Sequence, residues 1–295
     1  MLGRLTIHQP ATVGEAAALR ADLGDQAALY AGGSELLLVM KEGLGKWQHL
    51  IDVKAIPALR ELRVDGDRLM IGAALTHREL EGSPMLHERF PMLAAMEARV
   101  ANVRVRTVGT LGGNLSFAEP HSDPATALLV HDARVVLTGS RAARVLPVGD
   151  FITGSYETAL ASDEILVRIE VPALPAGGAG VYMKFGFHER PTVGVAVVVT
   201  PAGETVREAR VAIGCIGPAP TRLPALEARL AGVRIAALES GLHTPERRDT
   251  QLADALAALD VVTDLHGSAD YKREVAAVLV SRALAASARR ARSAA

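Results

Sequence analysis

Apolar residues recur at two spacings along this chain, mixed in its first part and segregated in its second. "TVGEAAALRADLG" (Thr12 to Gly24) has helical spacing. Thr12 and Glu15 stand at the capping-box interval, and Gly24 supplies a left-handed stop. "AALYAGGSELLLVMKEG" then reads as a strand over Ala27 to Ala31, a turn at Gly32-Gly33 and a helix over Ser34 to Lys41. The run Leu50 to Val53 predicts a short buried strand, and "ELRVDGDRLMIGA" a hairpin turning at Asp65-Gly66. A helix is expected from about Pro91 to Asn102. "DPATALLVHD" starts another, with Asp123 as its N-cap and Pro124 at its first position. "ARVVLTG", "ARVLPV" and "EILVRIEV" follow as strands between turn residues.

At "PALPAGGAG" (Pro172 to Gly180) the composition shifts to that of a linker. Beyond it "VYMKFGF", "VGVAVVVT" and "VREARVAIGCIG" predict an antiparallel sheet with "PAGE" as one turn. "PTRLPALEARLAG", "TPERRDTQLADALAALD" and "SADYKREVAAVLVSRALAASARR" predict helices. The fold class is α+β: a mixed first domain, then a domain of sheet plus helices.

Composition narrows the choice of function. With 295 residues and a 49% hydrophobic fraction, the chain can bury the cores of two domains. A net charge of -1 offers no electrostatic reason for a nucleic-acid partner. No apolar run is long enough to span a bilayer and no leader segment is visible, so a cytoplasmic location is expected. The basic tail "SARRARSAA" reads as a solvated terminus. The single cysteine, Cys215 in "VAIGCIGP", reads as a core residue; alone it makes no internal disulfide and holds no iron–sulfur cluster.

Two glycine-rich turns carry the candidate chemistry. In "AGGSEL", Ala31 to Leu36, a strand passes through Gly32 and Gly33 into a helix start, an arrangement that gathers backbone N–H groups around one concave spot. Glycine permits both positive φ and close backbone approach to an anion. The pattern is neither a G-x-G-x-x-G nor a Walker loop, and Glu35 suits an anion only if it points away, capping its own helix or accepting from a hydroxyl. The second turn lies in "GTLGGNLSFAEPHSD". Here Thr110 offers a hydroxyl, Gly112 and Gly113 follow Leu111 with exposed amides, and Asn114 can donate and accept. Two such cradles suggest a diphosphate gripped from two sides. His121 reads as a loop residue without catalytic claim.

In order along the chain, "AGGSELLLVMK", "TLGGNLSFAEPHSDPATALL", "DEILVRIEVP", "KFGFHERPTVGVAVV" and "SADYKREVAAVLVSRAL" resemble the FAD-binding medium subunits of molybdenum hydroxylases, the carbon monoxide dehydrogenase and xanthine dehydrogenase family. The resemblance covers nearly the whole chain. It implies a two-subdomain FAD-binding domain of the vanillyl-alcohol-oxidase (PCMH) type over residues 1–173, with subdomains of about 1–55 and 56–173, then a carbon monoxide dehydrogenase flavoprotein C-terminal domain over residues 179–288. It implies that Ala31, Gly32, Gly33, Ser34, Glu35 and Leu36, with Thr110, Leu111, Gly112, Gly113 and Asn114, wrap the diphosphate. It further implies flavin contacts at Asp123, Leu166 and Lys184.

The family often has Thr-Asp where Ser34-Glu35 stands, a substitution that keeps the chemical type. The arginine-asparagine pair frequent before the second motif is replaced by "VRTVG", which leaves Arg106 and Thr107 outside the contact set. The implied work is electron transfer. A large molybdopterin-binding subunit oxidises the substrate, a small subunit with [2Fe-2S] clusters relays electrons to FAD on this chain, and an acceptor takes them. No general base or nucleophile is expected here, and no metal site. A dimer of heterotrimers is the expected assembly. Two other readings remain: a self-contained flavoprotein oxidase or reductase of the same superfold, and a flavin-free assembly subunit.

Overall fold

The computed structural model describes residues 4–139, 141–186, 189–243 and 249–294. They form two compact units, each drawing on separate stretches of chain. One comprises Met1–Ser83, Ala101–Glu119 and Ala133–Pro172; the other comprises Pro84–Val100, Pro120–Asp132 and Ala173–Ala295.

The first unit opens with a three-stranded parallel sheet of β1 (Thr6–His8), β2 (Ala27–Tyr30) and β3 (His49–Asp52), in the order β1-β3-β2. β1 is too short to have shown a pattern. The helix Val13–Leu23 crosses between β1 and β2. Thr12 caps it by accepting from the Glu15 amide, but the Glu15 carboxylate reaches the Ala11 amide rather than closing a capping box, and Gly24 stops the helix at φ 51°. Ala16, Ala17, Ala27 and Ile51 bury the sheet face together with Ile56 and Leu59.

The same unit holds a five-stranded antiparallel sheet, ordered Leu62–Asp65, Arg68–Gly72, Ile165–Pro172, Arg134–Thr138 and Arg144–Pro147. Its hairpin β4 (Leu62–Asp65) and β5 (Arg68–Gly72) turns through Gly66, at φ 59°, as the Asp-Gly step predicts. β6 (Arg134–Thr138) and β7 (Arg144–Pro147) form a second hairpin. β8 (Ile152–Gly154) and β9 (Glu157–Thr158) make a small separate ribbon. β10 (Ile165–Pro172) then runs between β5 and β6, with a register shift between Leu166 and Arg168.

The second unit is built on an antiparallel sheet of β11 (Ala179–Phe185), β12 (Val193–Ala202), β13 (Thr205–Gly214) and β14 (Thr221–Arg222). The apolar run of β12 is buried along its length because both of its faces are covered. The long helix Ala269–Ala294 covers one face through Ala276, Val280, Ala283 and Leu284, and the helix Pro124–Val130 packs against β12 and β13.

Two expected helix boundaries change. The helix expected to run to Asn102 ends at Glu97, because Ala101 takes φ 40° and the Asn102 side chain caps a new helix, Val103–Val108, by accepting from the Arg104 and Val105 amides. The helix expected from Thr244 is described from Thr250 to Ala257, with Asp249 as its N-cap; residues 244–248 lie outside the described residues, as do Phe187 and His188.

Candidate functional site

The two glycine stretches meet within the first unit. β2 ends at Tyr30, and the chain passes Ala31, Gly32 and Gly33 before entering the helix Leu36–Lys41. A Cβ on Gly32 would lie 2.2 Å from the Val108 carbonyl oxygen and 2.7 Å from the Gly109 Cα, so the two backbones touch where no other residue fits. Gly33 takes φ 75°, a conformation glycine adopts freely, and a Cβ there would meet the Tyr30 ring at 2.5 Å. Among the described residues, the amides of Gly32, Gly33 and Ser34 donate to no carbonyl. Ser34 Oγ is buried without a hydrogen-bond partner, on the side facing Gly109. A buried hydroxyl left in this state costs free energy unless a bound group supplies its partner. Glu35 makes no capping bond to its helix, contrary to one role considered for it.

The second stretch is not the open loop expected. Residues 73–77 and 109–112 run against each other: the His77 amide donates to Gly109 O at 3.0 Å, the Leu111 amide to Leu75 O at 3.1 Å and the Gly112 amide to Ala73 O at 3.0 Å. Thr76 and Thr110 form the β-bridge between them. Leu111–Phe117 is a helix, and Thr110 is its N-cap, accepting from the Gly113 amide at 3.0 Å. Gly112 is therefore buried with its amide used, and a Cβ there would strike Ala73 at 2.5 Å. Its glycine serves backbone packing rather than an exposed amide. Gly113 is exposed, with Asn114 half-buried beside it. Leu166 is buried one step along the same hydrogen-bond chain, since the Ala73 amide donates to Val167 O at 3.0 Å.

Asp123 and Lys184 come together in the second unit. The Asp123 backbone is helical, at φ -75° and ψ -47°, and its carboxylate makes no cap bond, so the N-cap expected from sequence is not formed. Instead Oδ2 accepts from Lys184 Nζ at 2.9 Å, and Oδ1 accepts from the Tyr182 hydroxyl at 2.5 Å. Lys184 Nζ also donates to Arg99 O at 2.6 Å. Burial pushes the Asp123 carboxyl above its ordinary value, against the opposing pull of the Lys184 charge and the Tyr182 bond. Burial, and then the nearby Asp123 charge, push the Tyr182 phenol well above 10.

Sequence reasoning missed Tyr182. Its signal was positional: it stands two residues before Lys184 on one strand and hence on the same face. His121 bridges Pro191 O at 2.9 Å and Asp264 at 3.0 Å, and Asp264 also accepts from buried Lys272 at 2.6 Å. It is a fastener between segments of the second unit. Cys215 is buried at φ 69°, with its thiol 3.8 Å from Ser122 O.

The first unit thus gathers undonated amides and an unpartnered hydroxyl at one turn, and the second holds a buried carboxylate–ammonium pair. Among the described residues no group of three or more His, Cys, Asp or Glu side chains is placed to hold a metal.

Comparison with known proteins supplies a family. Residues 3–174 match the family described as FAD binding domain in molybdopterin dehydrogenase, and residues 188–287 match the CO dehydrogenase flavoprotein C-terminal domain. The carbon monoxide dehydrogenase medium chain of Hydrogenophaga pseudoflava is 35% identical over 283 residues, covering 95% of this chain and 96% of that one. The caffeine dehydrogenase subunit beta of Pseudomonas sp. strain CBB1 is 30% identical over 285 residues, covering 96% and 94%. A solved chain of carbon monoxide dehydrogenase from Hydrogenophaga pseudoflava superposes with a TM-score of 0.89 at 36% identity, over 98% of this chain and 99% of its own.

Proposed function

The chain belongs to the FAD-binding medium subunits of the molybdenum hydroxylase family, and on that premise we propose that it carries FAD as the electron-transfer subunit of a multi-subunit dehydrogenase. Bound FAD supplies two-electron acceptance and onward transfer, while the protein positions it and tunes its potential. In the assembled complex a small partner subunit with [2Fe-2S] clusters would supply the electrons, and a large molybdopterin-binding subunit would oxidise the substrate. The acceptor takes them from this chain.

The contact between Gly32 and the Val108–Gly109 backbone, with the unpartnered Ser34 hydroxyl beside it, carries the reading. The half-exposed amides at this turn face no carbonyl, and the buried Ser34 hydroxyl beside them lacks a partner in the ligand-free chain. An anionic group would answer all four donors. In this reading Ala31 to Leu36 and Thr110 to Asn114 would hold the diphosphate, and Leu166 would be a further flavin contact. Because the Gly112 amide is held by Ala73 O and the Gly113 amide by Thr110 Oγ, the second stretch offers the exposed, side-chain-free surface at Gly113 rather than free amides. Asp123 and Lys184 are proposed flavin contacts whose charges are already matched to each other.

The proposed domain division is residues 1–173 and 179–288. The proposed assembly is a dimer of heterotrimers in the cytoplasm; no described helix is long and apolar enough to cross a membrane.

The test is purification of the complex, followed by release and chromatographic identification of its flavin. One FAD per copy of this chain, copurifying with a larger and a smaller redox subunit, is expected. A colourless chain that cannot be reconstituted with FAD refutes the proposal.

A further inference from the structure

Tyr182 has no role in anything established for this chain, yet it makes the shortest side-chain contact of Asp123. We infer that Tyr182 is a positioning residue for the cofactor: its hydroxyl fixes the Asp123 carboxylate in the orientation and charge state in which that carboxylate meets the flavin. The inference rests on the reading that Asp123 contacts FAD.

The geometry has three parts. Tyr182 and Lys184 alternate on β11 with Val181, which turns into the apolar core under the long helix. Both polar side chains therefore project to the opposite face, toward the start of the Pro124–Val130 helix, and grip one carboxylate from two sides. Next, the sheet makes room for the phenol: a Cβ on Gly194, which pairs across the strands with Lys184, would lie 2.8 Å from the Tyr182 hydroxyl. Finally, Asp123 is 2% exposed and Tyr182 is 6% exposed, so water does not compete for the bond.

A buried carboxylate is expensive unless paired and hydrogen-bonded. One ammonium would meet the charge requirement but leave Oδ1 without a donor and the carboxylate free to rotate. The phenol closes that freedom. Since burial holds the phenol proton on far above neutral pH, Tyr182 remains a donor over the whole working range. The bond also opposes the upward push that burial exerts on Asp123, keeping the carboxylate ionised to lower pH.

Tyr182→Phe, Asp123→Ala and the double variant would be prepared in the intact complex. FAD dissociation constants would be measured by flavin fluorescence across an acidic to neutral pH series, with thermal melting alongside. Tyr182→Phe should weaken FAD binding about tenfold, as loss of a hydrogen bond to a charged group predicts. The acid limb of its affinity profile should also move to higher pH. On the Asp123→Ala background the Tyr182 change should have no further effect on affinity. A merely structural tyrosine would lower the melting temperature without moving the pH profile.

Wild-type affinity and an unmoved acid limb in Tyr182→Phe, or a full additional loss in the double variant, would overturn the inference while leaving the FAD reading intact. Wild-type complex without FAD would overturn that reading and this inference with it. Should Tyr182→Phe fail to fold, Tyr182→Leu, which also lacks a donor and is smaller, supplies the same comparison; an unmoved acid limb there again refutes the role.

Discussion

Replacing Gly32 by alanine is the smallest change that probes the joint between the two glycine stretches. The added Cβ falls 2.2 Å from the Val108 carbonyl oxygen, 2.7 Å from Gly109 Cα and 2.9 Å from the Val108 carbonyl carbon. All three are backbone atoms, so no rotamer change relieves the overlap. The strands of chain must separate by about 1 Å before the contact becomes an ordinary one. The Val108–Gly109 segment is held by the Gly109 amide to Val105 O and by Gly109 O to the His77 amide, so retreat strains those bonds as well. Overpacking of this kind costs about 1–3 kcal/mol. The same displacement opens the cradle around Ser34, and the variant should lose FAD as well as stability. Denaturant unfolding and quantified released flavin measure the two effects on one preparation. A Gly32→Ala protein with wild-type stability and full flavin content would show that the close approach is not required, and the two-stretch clamp would fall with it.

Gly113 supplies the contrast, since it is exposed and, among the described residues outside its own helix backbone, an added Cβ meets just Thr110 Oγ, at 2.8 Å. Gly113→Val should abolish FAD retention while leaving most of the fold, as read by flavin release beside circular dichroism; normal flavin occupancy would count heavily against the assigned site. His121→Ala should leave the FAD dissociation constant unchanged, because its ring is engaged with Pro191 and Asp264; a tenfold loss of affinity would contradict that assignment. Glu164 is held below its ordinary value first by the Arg144 hydrogen bonds and further by the Ala161 amide, against burial. Its depressed folded value means the stabilisation is present above the unfolded carboxyl pKa and is lost as pH falls through the folded one. Glu164→Gln should therefore cost about 0.5–1 kcal/mol at neutral pH, discounted because Arg144 is partly exposed, and should flatten the acid limb of the stability profile in urea titrations; an unchanged acid limb would refute the assignment.

Local physics explains which parts of the architecture were legible. Asp65-Gly66 announced its hairpin because the turn demands a positive φ that glycine adopts without strain. β12 and its neighbours announced themselves because a strand covered on both faces is apolar throughout. The glycine stretches were visible as candidates for the same reason: glycine without local need signals close approach, and family resemblance then assigned the approach to a diphosphate. The helix break at Ala101 was not legible, since alanine is a good helix former and its φ of 40° is imposed by surrounding packing and the Asn102 cap.

Residue types and spacings thus sufficed for the α+β class and most element identities, and motif resemblance for the family. They carried no information on pairs brought together from far along the chain. That Gly32 abuts Val108, that the Gly112 amide belongs to Ala73, and that Asp123 turns from its helix to meet Tyr182 and Lys184 all depend on long-range contacts. Asp123 is the plainest case. An Asp-Pro step favours an N-cap on local grounds, but an ammonium and a phenol together outweigh one backbone amide as partners for a carboxylate, and the side chain goes to the stronger donors.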